Sequence, residues 1–147
     1  MNDMEGFDEL LEFLSNAPKE FEQAVDKGLS NTGIMAETDI KAITPVGVYP
    51  KGSGRTGGTL KRNWTHTDVE STGEDRSITV GNPVAYAEPV EEGHKTVNGY
   101  GFVEGRHMAR DVITIYEDRD VLGTNIVSEL NKIKWGVLWN LQIYNMH

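Results

Sequence analysis

The stretch of this chain nearest to a recognised chemical motif is Gly52-Ser53-Gly54-Arg55-Thr56-Gly57. It satisfies G-x-G-x-x-G, the loop that cradles a dinucleotide pyrophosphate, and Gly52 to Thr59 keeps phosphate-loop spacing except that Gly58 stands where the lysine belongs. Both chemistries need a buried strand before the loop and a helix after it, so that amide groups and the helix dipole face the phosphates. Here Pro45 and Pro50 precede the glycines and strand-forming residues follow, so the string reads as loop punctuation. Charge is the second property of the region. Residues 44–62 hold Lys51, Arg55, Lys61 and Arg62 and no acid, which is +4 in a chain of net −9 and leaves −13 elsewhere. A flexible cationic loop can contact nucleic-acid phosphates without reading sequence, dock on the acidic surface of a neighbouring copy, or simply keep the protein soluble.

The remaining reactive side chains do not assemble into known spacings. His66, His94, His107 and His147 include no pair three or four residues apart, and neither H-E-x-x-H nor an acidic calcium-loop pattern occurs. His107, beside Arg106 at a helix start, reads as structural. Ser53 and Ser71 lack the G-x-S-x-G context of an exposed nucleophile, and adjacent Glu91 and Glu92 cannot share one face for paired acid–base work. The absence of cysteine removes disulfides, thiolate metal sites, iron–sulfur clusters and cysteine nucleophiles together. No catalytic residue, metal or cofactor is therefore expected.

The elements that position these residues must come from 147 residues, 16.3 kDa, the size of one domain. With 37% hydrophobic and 25% charged residues the chain can bury a core, while 16 glycines promise irregular loops. A net charge of −9 argues against a protein that coats nucleic acid or anionic membrane with its whole surface, so a basic site must be local. Met1 to Glu12 is acidic, without the basic start or apolar centre of a signal peptide, and no run approaches the roughly 20 apolar residues of a membrane span. Synthesis in a cytoplasm-like compartment, with no membrane partner, is expected.

Phe7, Leu10, Leu11 and Leu14 predict a short helix over 7–15, after which Asn16 and Pro18 restart the pattern. Phe21, Val25, Leu29, Thr32, Met35 or Ala36, Ile40 and Ile43 then keep one face of a long helix apolar, with Gly28 and Gly33 as weak points and Pro45 as its end. Residues 44–59, with two prolines and five glycines, read as a long mobile loop. Leu60 to Val69 and Ser77 to Val80 read as two strands of an antiparallel hairpin around Ser71–Asp75. Tyr86 to Gly93 reads as a helical turn closed by glycine, and His94 to Gly105 as a second mobile loop.

Met108, Val112, Ile115 and Tyr116 mark one further helix, and Ile126, Leu130, Ile133 and Val137 another, for which Thr124 is the expected cap. At the end, Trp135, Val137, Trp139, Leu141 and Ile143 alternate with other residues, which fits a strand as well as a continued helix; an extended arm over about 135–147 is favoured. Such an arm packs on the protein's own sheet or adds as a strand to another subunit. The fold class is α+β: an antiparallel β-sheet packed by a long N-terminal helix and C-terminal helices, in a single domain.

Three landmarks stand in one order: Ala42-Ile43-Thr44-Pro45, then Arg55-Thr56-Gly57-Gly58-Thr59-Leu60-Lys61-Arg62, then Val80-Gly81-Asn82-Pro83-Val84-Ala85-Tyr86-Ala87-Glu88-Pro89-Val90-Glu91-Glu92-Gly93-His94. Gly105-Arg106-His107-Met108-Ala109-Arg110 follows as a fourth. The series resembles the small tail-component proteins of tailed bacteriophages, found at the head-to-tail junction and variously called tail completion, tail terminator or minor capsid proteins. The resemblance covers about residues 18 to 118 and rests on Pro45, Thr56, Gly57, Leu60, Tyr86, Ala87, Val90, Glu91 and Gly93. The Gly47 to Gly54 stretch is inserted relative to the family pattern, and Asn63-Trp64 stands where a small polar residue is usual.

The resemblance implies a non-enzymatic virion protein. Its copies would form a ring of about six, stacked on the tail tube protein, touching head-closure or connector proteins, with genome DNA passing through the lumen. Structural roles follow for the motif residues: Thr56-Gly57 starting a strand, the Tyr86 ring packed on the sheet with its hydroxyl partnered, Gly93 as a left-handed cap. Lys51, Arg55, Lys61 and Arg62 are the candidates for an acidic neighbour or lumen DNA, and Trp135, Trp139, Leu141 and Ile143 for a C-terminal interface.

Overall fold

The structure, a computed structural model, describes the backbone of residues 3–144 and the side chains of residues 18–133. Helix α1 runs from Asp3 to Ile43 without interruption and contains Pro18. The restart expected at Asn16 does not occur. Proline removes one intrahelical hydrogen bond, whereas a second helix would need a new nucleus, which is the costly step in helix formation. The far end behaves as the sequence dictates. The Thr44 side chain is buried, its hydroxyl donates to the Ile40 carbonyl at 2.6 Å, and Pro45 prevents continuation.

The buried ridge of α1 consists of Ala24, Gly28, Leu29, Gly33, Ala36 and Ile40, while Phe21, Met35 and Ile43 of the expected apolar face remain exposed. Small residues dominate because other elements approach closely. A Cβ at Gly28 would lie 2.9 Å from the backbone of Ile126, and one at Gly33 would lie 3.2 Å from Cγ1 of Ile78. The two glycines are notches into which neighbours fit, and their helix-propensity cost of about 1 kcal/mol each is the smaller term.

After the loop over 44–58, Thr59–Arg62 forms a single helical turn, α2, where a strand was expected. Gly58, at φ 86°, turns the chain into it, and the Asn63 side chain closes it by donating to the Thr59 carbonyl at 2.7 Å. The hairpin that follows is present but short. Strand β1 (Thr65–His66) pairs antiparallel with β4 (Val80–Gly81), and β2 (Glu70–Thr72) with β3 (Asp75–Ser77). Between the two ladders residues 67–69 lie opposite 78–79, one residue in excess, so the register slips by one as in a β-bulge. The Arg76 guanidinium pins this arm to α1, reaching Glu22 at 2.8 Å and Asp26 at 2.6 Å, and these carboxylates, the Glu22 hydrogen bond first, raise its pKa.

Ala87–Glu92 is α3, the expected helical turn. Gly93 closes it at φ 93° and ψ 169°, a region open essentially to glycine alone but not the left-handed helical well. The chain then forms a second hairpin where a loop was expected: β5 (Gly93–Lys95) pairs antiparallel with β6 (Phe102–Glu104). The antiparallel pairing of this α+β fold is thus spread over three two-stranded ladders.

Met108–Asp118 is α4 and Val121–Tyr144 is α5. Asp120, at φ 47°, separates them, and its carboxylate accepts from the Gly123 amide at 3.2 Å, so Asp120 caps α5 in place of Thr124. The extended arm expected from Trp135 onward is corrected to helix as far as Tyr144. The apolar residues among 135–144 fall on all sides of a helix as well as on alternate positions, so they satisfy both periods, and a helix already under way at Lys134 gains one bond per added residue. The side chains of Trp135, Trp139, Leu141 and Ile143 lie outside the described ones, as do residues 145–147. Among the described residues, no helix is long and apolar enough to cross a membrane. Helices α4 and α5 pack along α1, and the central core consists of Ile40, Leu60, Trp64, Ala87, Met108 and Val112.

Candidate assembly site

Three of the four motif segments supply that core, and the first follows it along α1. Leu60 of the second motif is buried with Ala87 of the third, Met108 of the fourth and Ile40, two residues ahead of the first. The Asn82 side chain donates to the Leu60 carbonyl at 2.7 Å and accepts from the Val84 amide at 3.1 Å, which ties the second motif to the third and sets the turn into α3. Val90 and Glu91 then hold the start of α4. The Arg106 amide donates to the Val90 carbonyl at 2.8 Å, the His107 amide to the Glu91 carbonyl at 3.1 Å, and the Arg110 amide to the Glu91 carboxylate at 3.0 Å. Glu91 therefore caps a neighbouring helix, at the end where the helix dipole favours an anion. A Cβ at Gly105 would stand 2.1 Å from the Glu91 carbonyl oxygen, so only glycine lets the fourth motif approach the third. Tyr86 departs from its expected role: it precedes α3 with its ring exposed, and the buried contact belongs to Ala87.

The loop over residues 47–57 has touching ends. A Cβ at Gly57 would lie 2.0 Å from the Gly47 carbonyl oxygen, which makes the segment an Ω-type loop closed at its base. Thr56-Gly57 leads into helix α2, and no strand begins there. The phosphate-binding context is missing as well, since helix α1 precedes this loop and a four-residue helix follows it. Arg62 serves the loop's own closure, its guanidinium donating to the Gly57 carbonyl at 3.0 Å. The Arg55 guanidinium stands 5.9 Å from the centre of the Tyr49 ring, within cation–π range. Lys51 and Arg55 are exposed and Lys61 half-buried, and among the described residues none of the three pairs with a carboxylate. Three cations, with exposed Val46, Val48 and Tyr49 beside them, thus remain available to an outside partner. Helix α1 has the opposite charge, ten acids against three bases.

A second projecting element carries no cluster of like charge and escapes a search for basic patches or catalytic residues. On the β5–β6 hairpin Val97 is fully exposed, Tyr100 is 96% exposed, Phe102 is mostly exposed and Val103 is about half exposed. The legible signal was aromatic residues among glycines, Gly99-Tyr100-Gly101-Phe102, where a loop usually has polar ones. The ionisable groups with displaced pKa values lie elsewhere and are structural. Lys41, then His66, holds the Glu37 carboxyl below its usual value, and Lys132 does the same for Glu129. Burial, with the hydrogen bond to Asp39, pushes the Tyr116 phenol up.

The fold and this surface define a small α+β protein whose motif segments pack on its own core and which exposes unpaired cations on one loop and apolar side chains on one hairpin. Residues 8–93 match the HK97-gp10-like family, described as Bacteriophage HK97-gp10, putative tail-component, and the chain belongs to that family of phage tail components. The matched segment takes in residues 8–17, ahead of the resemblance noted above, and stops at Gly93, before the fourth motif. No curated protein and no solved structure matches the chain significantly.

Proposed function

We propose that the protein is a non-enzymatic ring subunit at the head-to-tail junction, a tail terminator or tail completion protein that joins the tail tube to head-closure or connector proteins. The family match over residues 8–93 carries this reading. The division of labour in the fold supports it, because motif segments packed on the core, with unpaired cations and apolar side chains left on exposed loops, suit assembly better than a chemical step. The ring holds about six copies, each repeating one heterologous contact, and genome DNA passes through its lumen. Loop 47–57, with Lys51 and Arg55, reaches an acidic neighbour or the passing DNA, while Lys61 sits at its base. Helix α5 beyond Lys134, with Trp135, Trp139, Leu141 and Ile143, supplies a further contact.

Light scattering and negative-stain imaging across a concentration series, alone and with preformed tail tubes, test this. Discrete rings, free or capping the tubes, are expected. A monomer under every condition, with bare tube ends, overturns it.

A further inference from the structure

Resting on that reading, we propose that the β5–β6 hairpin of each copy docks into the groove between α1 and α4 of the next, with Tyr100 and Phe102 meeting its apolar floor and Lys95 facing Asp39.

The hairpin is built to present its side chains. Its turn is held by the Thr96 amide donating to the Gly101 carbonyl at 2.9 Å, the Gly99 amide to the Thr96 carbonyl at 2.8 Å, and the Gly101 amide to the Thr96 hydroxyl at 3.0 Å. The Thr96 hydroxyl in turn donates to the Asn98 side chain at 2.6 Å. These local bonds fix the shape of the turn, yet Tyr100 buries almost nothing and Phe102 is 62% exposed. A lone two-stranded ladder is marginal in water, and aromatic side chains held at its tip gain nothing until something covers them.

The same chain has a matching concavity. Ala42 and Ile43 of α1 with Val112, Ile115 and Tyr116 of α4 line a groove of about 260 Å³. Ile43 and Ile115 are about half exposed, so its floor is uncovered in the single subunit. Asp39 and Asp111 also line it. Asp111 is paired with Arg110 at 3.2 Å, whereas Asp39 accepts only the Tyr116 hydroxyl among the described residues. Lys95, on the hairpin opposite Phe102, pairs with no carboxylate there either. An apolar projection beside an unpaired cation and an apolar groove beside an unpaired anion, on different elements of one chain, make a heterologous contact that repeats from copy to copy. Loop 47–57 is the weaker candidate for the groove, because Arg62 and the Gly47–Gly57 contact tie it to its own subunit.

The chain has no cysteine, so introduced thiols are unique. Full-length Tyr100→Cys and Ile115→Cys proteins are mixed under mild oxidation, after melting curves confirm that both, changed at exposed positions, fold like the parent. The disulfide heterodimer is expected in about tenfold excess over either homodimer, and Lys95→Glu in the first protein should remove most of that excess. A heterodimer yield no greater than random pairing overturns the contact. Imaging the parent protein in parallel separates the two readings. Rings without the excess remove this contact and leave the junction role standing; the excess without rings keeps the contact and removes the ring.

Discussion

The motif-bearing core and the two projecting elements are made from the same kinds of residue and treat them in opposite ways. In the core, Glu91 caps α4, Gly105 admits a carbonyl and Leu60 fills a hole between helices. On the projections, Arg55 and Lys51 pair with no carboxylate among the described residues, Gly52 and Gly54 face open space, and Tyr100 covers nothing. The difference teaches that most of the motif residues of this chain are spent on its shape, while the side chains left without an internal partner stand on the loop and the hairpin. Substitutions should separate along the same line, with core changes costing stability and projection changes costing assembly.

The largest effect is expected from Trp64→Ala. Trp64 is 5% exposed and packs with Ile40, Leu60 and Met108, so truncation removes its burial and leaves a cavity. About 3–5 kcal/mol should be lost, seen as a melting-temperature drop on the order of 10 °C for a chain of this size. Drops within a degree or two would mean that this region is not the core.

Gly28→Ala is sharper because two principles disagree on its sign. Helix propensity alone favours alanine by about 1 kcal/mol in a helix interior. The added Cβ would lie 2.9 Å from Ile126 backbone atoms, where little can give, so a net loss of about 1–3 kcal/mol is expected from overpacking. Denaturant titration decides it, and a gain would show that α5 is free to move off α1.

Glu91→Ala should cost about 1 kcal/mol, the usual value of a lost helix cap, since the Arg110 amide loses its acceptor. Glu91→Gln, which keeps an acceptor oxygen, should cost less. Equal losses for both would place the effect in the carboxylate's charge at the α4 terminus and not in the hydrogen bond.

The legibility of the fold follows the range of the forces that make it. The end of α1 at Thr44-Pro45, the turn from Ala87 to Gly93 and the body of α4 are set by local rules, and their residues announce them. In the sequence the notches at Gly28 and Gly33 look like weak points, because their partners, Ile126 and Ile78, are far away along the chain. The β5–β6 ladder looks like loop in the sequence, because three-residue strands are too short to show a period. The end of helix α5 fits a strand as well, because a segment with apolar residues on all sides satisfies both periods. At the site, Lys51, Arg55 and Lys61 were legible as a charge cluster, whereas Arg62's engagement with Gly57 and the exposure of Tyr100 are facts of three-dimensional packing.

The smallest effect on stability, and a complete one on assembly, is expected from excising residues 48–56 and joining Gly47 to Gly57. Their backbones already touch, so the join asks for little rearrangement, and shortening a flexible loop changes closure entropy only slowly with length. The segment contributes exposed side chains and no core residue, so the melting temperature should stay within a degree or two of the parent, as for surface changes generally. Arg62 keeps its acceptor, because the Gly57 carbonyl is retained. Ring formation on tail tubes should nevertheless fail, since the exposed cations Lys51 and Arg55 and the apolar Val48 and Tyr49 leave together. Replacing only Lys51 and Arg55 with serine then divides the loop's contribution. Loss of rings that deepens with added salt in the parent, and is reproduced by the double replacement, assigns the contact to charge. Rings that survive the replacement but not the excision assign it to Val48 and Tyr49.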